Sequence, residues 1–158
     1  MSTVRQRLAA AGVTLPPAPK PIAAYVPSVR VGDLVFVSGQ IPMLDGSLTA
    51  VGPVPSVVGV EAAAAAARQC AVNALAVLAD TLDGDLERVR RIVRIGVFVA
   101  SDTGFHDQPR VANGASELLV EVFGEAGRHA RAAAGSVGLP LGATVEVEML
   151  AEVSASST

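Results

Sequence analysis

Apolar residues and carboxylates alternate near the end of the chain. In Val145-Glu-Val-Glu-Met149 the valines and the methionine fall on one side of an extended backbone and the glutamates on the other. That period of two predicts a strand over 143–153. Val93, Ile95, Val97 and Val99 predict another over 92–100. The run Leu34-Val-Phe-Val37 is apolar at every position, so both faces of a strand over 34–38 are expected to be covered. With a β-rich run over 23–31 and the link Gly32-Asp33, it predicts a hairpin. A further strand is read over 130–137, joined to the last through Leu139-Pro-Leu-Gly142.

The period lengthens to that of a helix over 59–82. Six alanines follow Glu61, and Val72, Leu75, Val77, Leu78 and Leu82 continue as a stripe until Asp83-Gly84-Asp85 stops it before a short turn at 86–89. A second helix over 108–123 starts with Pro109 in its first turn and ends at Gly124. Residues 2–11 carry a short helical pattern closed by Gly12, and Leu15-Pro-Pro-Ala-Pro-Lys-Pro21 is a stiff connector. Residues 1–21 are therefore assigned as an N-terminal extension and 22–158 as a single domain. Residues 42–57 are loop-like, with one short strand expected near 48–51. The order β-β-(β)-α-β-α-β-β gives an α+β fold with a six-stranded sheet. Two helices cannot cover both its faces; they are expected on one, with further copies of the chain on the other.

Composition narrows the function. The 158 residues suit one core, and 51% are hydrophobic but only 3% aromatic, so small contacts build it. A net charge of -3 argues against a nucleic-acid partner, for which a basic face is expected. The single cysteine, Cys70, excludes an intramolecular disulfide and reads as core. The N-terminus lacks an apolar signal core and the longest apolar stretch is broken by Glu61, so no membrane span and a cytoplasmic protein are expected.

Few residues carry chemistry. Arg131 opens a strand; its planar fork of donors matches a carboxylate, although an arginine there is commonly a solvated edge residue. Glu146 and Glu148 share a face, which fits either a solvated strand or a cleft where one carboxylate polarises a water. Ser38-Gly39, at a strand end, offers backbone N–H groups or forms an ordinary turn. Tyr25, the only tyrosine, serves a ligand or packing equally well. Asn113 lies mid-helix, where asparagine is more often solvated. His106 and His129 are far apart with no carboxylate at ligand spacing, so no metal is expected. Arg88, Arg90, Arg91 and Arg94 form a basic cluster balanced by Asp83, Asp85 and Glu87.

Several segments occur together in a known order. Ala24-Tyr25-Val26, Leu34-Val-Phe-Val-Ser-Gly-Gln-Ile-Pro42, Ala67-Arg-Gln69, Gly96-Val-Phe-Val99, Arg131 and Leu139-Pro140 with Val145-Glu-Val-Glu148 resemble the Rid/YjgF proteins. Older names for that family are L-PSP endoribonuclease and translation inhibitor. The resemblance spans about residues 22–153 and points to a subgroup distinct from RidA itself. It implies a chorismate-mutase-like fold: a six-stranded mixed sheet with two helices on one face, in a homotrimer whose sheets enclose a central barrel. It also implies ligand clefts between subunits, and hydrolysis of small 2-imino or enamino acids to 2-keto acids and ammonia without a cofactor. Arg131 stands at the family's carboxylate-binding arginine, Glu146 at its water-orienting glutamate and Tyr25 at its cleft tyrosine. Ser38-Gly39 stands at its strand-end ligand contact and Asn113 at a family asparagine. Ala133 replaces a frequent cysteine and Ala134 a bulky aliphatic, so the cleft around the arginine is reshaped.

Imine/enamine deamination is the leading expectation, with a small carboxylate-bearing ligand. A non-catalytic carboxylate-binding or regulatory trimer is the alternative that Ala133 and Ala134 motivate. An endoribonuclease is disfavoured by the negative charge and by the lack of a histidine pair beside Arg131.

Overall fold

The computed structural model describes residues 2–20 and 23–155, so the boundary placed at residues 21 and 22 lies outside the described residues. The principal sheet has five strands: β1 (Ser28–Val31), β2 (Leu34–Gln40), β5 (Val89–Ala100), β6 (Ala130–Ser136) and β7 (Val145–Val153). Their order across the sheet is β1-β2-β7-β5-β6, with β5 and β6 parallel and all other neighbours antiparallel. The α+β class and the mixed sheet stand; the sixth strand does not.

The segment expected to supply that strand closes on itself. Met43–Leu44 (β3) pairs only with Ser47–Leu48 (β4), around Asp45 and Gly46, both at positive φ. Such an Asp-Gly pair makes a two-residue hairpin turn. The chain beyond it meets the ends of the large sheet only through isolated bridges, Val51 to Ala143 and Val54 to Ser101. β1 also starts later than the apolar pattern implies, at Ser28. Pro27 has no N–H for the ladder, and its carbonyl instead accepts from the Ser38 N–H at 2.9 Å.

Two helices pack on one face of this sheet, as expected. α2 (Val60–Thr81) lies over β2 and β7, and α3 (Gln108–Phe123) connects β5 to its parallel neighbour β6. α2 buries Ala63, Ala66, Ala67, Cys70, Leu75 and Leu78. It is long and apolar enough to cross a bilayer, yet two-thirds of that stretch is buried in the core. A third helix, α1 (Val4–Ala10), is closed at its start by a reciprocal Thr3–Gln6 capping box. Leu8 enters the core, the Val4 N–H donates to Glu87 at 2.6 Å, and Arg68 of α2 donates to the Ala11 carbonyl at 3.1 Å.

The helices approach closely because the residues between them are small. A Cβ at Gly114 of α3 would lie far inside contact distance of the Ala64 carbonyl of α2, and rigid backbone cannot step aside. Gly114→Ala is expected to destabilise by about 2 kcal/mol and lower the Tm by roughly 4–8 °C. A thermal melt within a degree of wild type would contradict this packing.

The opposite face of the sheet has no helix. Along β7 the buried Val145, Val147, Met149, Ala151 and Val153 alternate with half-exposed Glu146, Glu148, Leu150 and Glu152. Val31 is 61% exposed, Phe36 47% and Phe98 36%. Arg94–Glu148 at 3.0 Å and Arg90 with Asp33 and Glu152 add ion pairs.

Candidate active site

The residues that the sequence singles out form two groups. The first lies on the helix side of β6. Arg131 stands opposite Ile95 of β5, which is fully buried under the helices, and its side chain turns towards α3. Its Nη1 donates to Asn113 Oδ1 at 2.8 Å and to Ser116 Oγ at 3.1 Å. Asn113 and Ser116 are three residues apart, one helical turn, so one face of α3 presents both. Among the described residues no carboxylate lies within ion-pair distance of Arg131. Neutral oxygens thus fix the guanidinium without neutralising it. Nε and Nη2, which neither bond uses, suit a planar anion.

Ser116 also meets His129, whose Nε2 lies 3.0 Å from the hydroxyl. His129 Nδ1 lies 2.6 Å from the Gly127 carbonyl. Burial pushes the imidazole below its ordinary pKa, the Gly127 hydrogen bond opposes that, and the Arg131 charge adds to it. Ser116 was not legible as a site residue, although its spacing from Asn113 was a usable signal. Ala133, half-buried and two residues after Arg131, shares its side of the strand and adds only a methyl group.

The second group centres on Glu146, on the open face, and extends past Gly39 to a cleft that α2 also lines. Glu146 stands opposite Phe98, and its carboxylate sits directly over Gly39, where a Cβ would collide with it. The register between β2 and β7 shifts between Val37 and Gln40, so Ser38-Gly39 forms a bulge that brings backbone under the carboxylate. Burial, and then the neighbouring Glu148, raise the Glu146 pKa, giving it more proton affinity than a solvated glutamate. Ser38 donates its hydroxyl to the Val26 carbonyl at 2.8 Å and its N–H to Pro27, so it secures the segment after Tyr25. Tyr25, 55% exposed, lines a cleft of about 100 Å³ with Lys20, Gly39, Gln40 and Asn73.

One chain therefore keeps Arg131 and Glu146 apart, on opposite faces of the sheet. Among the described residues no group of three or more His, Cys, Asp or Glu side chains could hold a metal. In the basic cluster, Arg88 binds the Leu82 and Ser154 carbonyls, and Arg90 and Arg94 are ion-paired.

A bulged glycine beneath a strand-borne glutamate, with an arginine on the parallel edge strand, can be compared with known proteins. The family model described as "YjgF/chorismate_mutase-like, putative endoribonuclease" matches residues 5–153. The chain belongs to the YjgF family. TCP17 of Trypanosoma cruzi is 45% identical to this YjgF protein over 143 residues, 90% of the chain and 89% of TCP17. A 2-iminobutanoate/2-iminopropanoate deaminase of Dermatophagoides farinae is 27% identical over 139 residues, 87% of the chain and 92% of the deaminase. The crystal structure of Atu1372, a protein of unknown function from Agrobacterium tumefaciens, superposes with a TM-score of 0.91 at 45% identity, covering 96% of this chain and 92% of that one. The higher identity to TCP17 than to the deaminase fits a subgroup distinct from RidA.

Proposed function

We propose that this YjgF protein hydrolyses small 2-imino acids to 2-oxo acids and ammonia, at sites assembled between neighbouring copies in a homotrimer. The observation that carries the reading is the Arg131 guanidinium, held in place by Asn113 and Ser116 with no carboxylate partner among the described residues. Such a group selects a carboxylate, and the substrate carries one next to the reacting carbon. The deaminase name of the Dermatophagoides relative is consistent with that substrate class.

Glu146 supplies the second function. Its raised proton affinity suits a group that accepts a proton from water as the oxygen attacks the imine carbon. The same carboxyl returns that proton to nitrogen, then relays the carbinolamine hydroxyl proton to the amine as the C–N bond breaks, so ammonia leaves with the 2-oxo acid behind. Because one chain holds Arg131 and Glu146 on opposite faces, the pair meets only if one copy contributes Arg131, Asn113 and Ala133 and its neighbour Tyr25, Ser38-Gly39 and Glu146. The exposed Val31, Phe36 and Phe98 give the copies an apolar face to bury. On this account the particle in solution has three times the 16.0 kDa chain mass.

The test generates the imine with an amino-acid oxidase and follows its decay by semicarbazide trapping. Added protein is expected to lower the trapped imine; decay no faster than in buffer would sink the enzymatic reading. The alternative, a binding or regulatory trimer, is favoured by Ala133, which brings no polar group to the cleft. It predicts a Tm raised by 2-oxo acids without turnover.

A further inference from the structure

The row of atoms behind Arg131 allows only one placement of hydrogens while His129 is neutral. The Gly127 carbonyl can only accept, so His129 Nδ1 carries the hydrogen across their 2.6 Å contact. Nε2 is then a lone pair, and the Ser116 hydroxyl 3.0 Å away donates to it. The Ser116 oxygen keeps its lone pairs, one of which accepts from Arg131 Nη1 at 3.1 Å. In this arrangement the serine hydrogen points away from any ligand of Arg131.

We propose that Ser116 is a second carboxylate-binding residue, and that His129 is the positioning residue that decides whether its hydroxyl hydrogen faces the ligand. The proposal rests on Arg131 being the carboxylate anchor. Once His129 takes a proton from solvent, both ring nitrogens donate. The Ser116 oxygen then accepts from Nε2–H and from Arg131 together, and its own hydrogen turns outward. A carboxylate oxygen held on Nη2, on the side next to Nη1, gains one donor and a nearby positive charge. No covalent bond changes; one proton moves from solvent to Nε2 and one hydroxyl rotates. By linkage, a bound carboxylate raises the proton affinity of His129 as much as the proton raises the affinity for carboxylate.

The surroundings place the resting state on the neutral side. Burial disfavours a charge on His129, and Arg131, two residues further along the chain, disfavours a second positive charge. Arg128, in the preceding turn, is paired with Glu125 at 3.0 Å. α3 presents the uncharged Ser116 with Glu117 beside it, and Arg94 of β5 is committed to Glu148 on the other face. Glu146, whose proton affinity is also raised, would reach the ligand from a neighbouring copy. Its carboxyl is therefore removed from the test.

Calorimetry of the full-length chain carrying Glu146→Gln, titrated with pyruvate at pH 5.5 and pH 7.5 in buffers of different ionisation heat, tests the proposal. Expected are roughly tenfold tighter binding at the lower pH and uptake of protons on binding. Adding His129→Gln should make the affinity the same at both values and abolish uptake. Ser116→Ala should lose most of the gain, and Ser116→Thr, which keeps the hydroxyl, should restore it. Binding that is independent of pH before His129 is changed, or a pH dependence that survives His129→Gln, overturns the proposal. Arg131→Ala separates the two ideas. If pyruvate binds that variant as tightly, or fails to bind the parent chain, the anchor reading itself is wrong.

Discussion

Arg131→Ala is expected to lower kcat/KM for a 2-imino acid by about 10³-fold while leaving the fold intact. The side chain lies on an edge strand and, among the described residues, makes two hydrogen bonds, both to half-exposed or exposed neighbours, so its loss removes little packing. What disappears is a charge-assisted, two-pronged contact to the substrate carboxylate, in a site where Asn113 and Ser116 have already fixed the donor. Truncating one partner of such a pair costs about 2–5 kcal/mol, and the middle of that range corresponds to the stated loss. Arg131→Lys should recover only part of it, because an ammonium keeps the charge without the fork. Steady-state kinetics by semicarbazide trapping and a melt of the same samples check both halves. A variant with wild-type kinetics contradicts the anchor, and a variant that fails to fold contradicts the edge placement.

Glu146→Gln is expected to reduce turnover by about 10²- to 10⁴-fold, the range for removing a positioned general base. Stability should move the other way. The folded protein holds the Glu146 proton more tightly than the unfolded chain does, since burial and Glu148 raise its pKa. Between the ordinary carboxylate range and that raised value the native state binds more protons, so stability falls as pH rises through this window. Above it, the ionised carboxylate carries the full penalty. Glu146→Gln should therefore melt higher than wild type at pH 7.5, with the two converging near pH 4. Activity of the wild type should fall as pH drops through the same window, because the protonated carboxyl no longer accepts a proton from water. A Glu146→Gln melt lower than wild type at pH 7.5, or retained turnover, contradicts this role.

The parts of the fold that were readable are those where one periodicity dominates. The alternation Val145-Glu-Val-Glu-Met149 assigns β7 and correctly sends its carboxylates to one face, and the alanine run assigns α2. Residues 42–51 were misread because β-forming residues there pair locally: Asp45-Gly46 turns the chain before a strand can reach the sheet. The site was legible by residue and not by arrangement. Period two places Arg131 and Glu146 on a face of their own strands, but only the order β2-β7-β5-β6 and its registers reveal that the two faces are opposite. Asn113 looked like a solvated helix residue and turns out to hold Arg131, because α3 packs over the parallel strand pair. Ser116 stayed hidden for the same reason: a serine on a helix acquires meaning only from what lies across the groove.

On the proposed function, the opposed faces leave each copy with an anchor but no base beside it and a base but no anchor, and the apolar sheet face is the proposed means of association. Mixing two inactive variants tests this most directly. Arg131→Ala and Glu146→Gln chains, each inactive alone, are refolded together at equal ratio and assayed for imine hydrolysis. If each site takes its arginine from one copy and its glutamate from the next, one in four pairings unites two intact halves, and about a quarter of wild-type activity should return. A mixture as inactive as its components, in trimers shown by mass to contain both chains, would contradict a site shared between subunits.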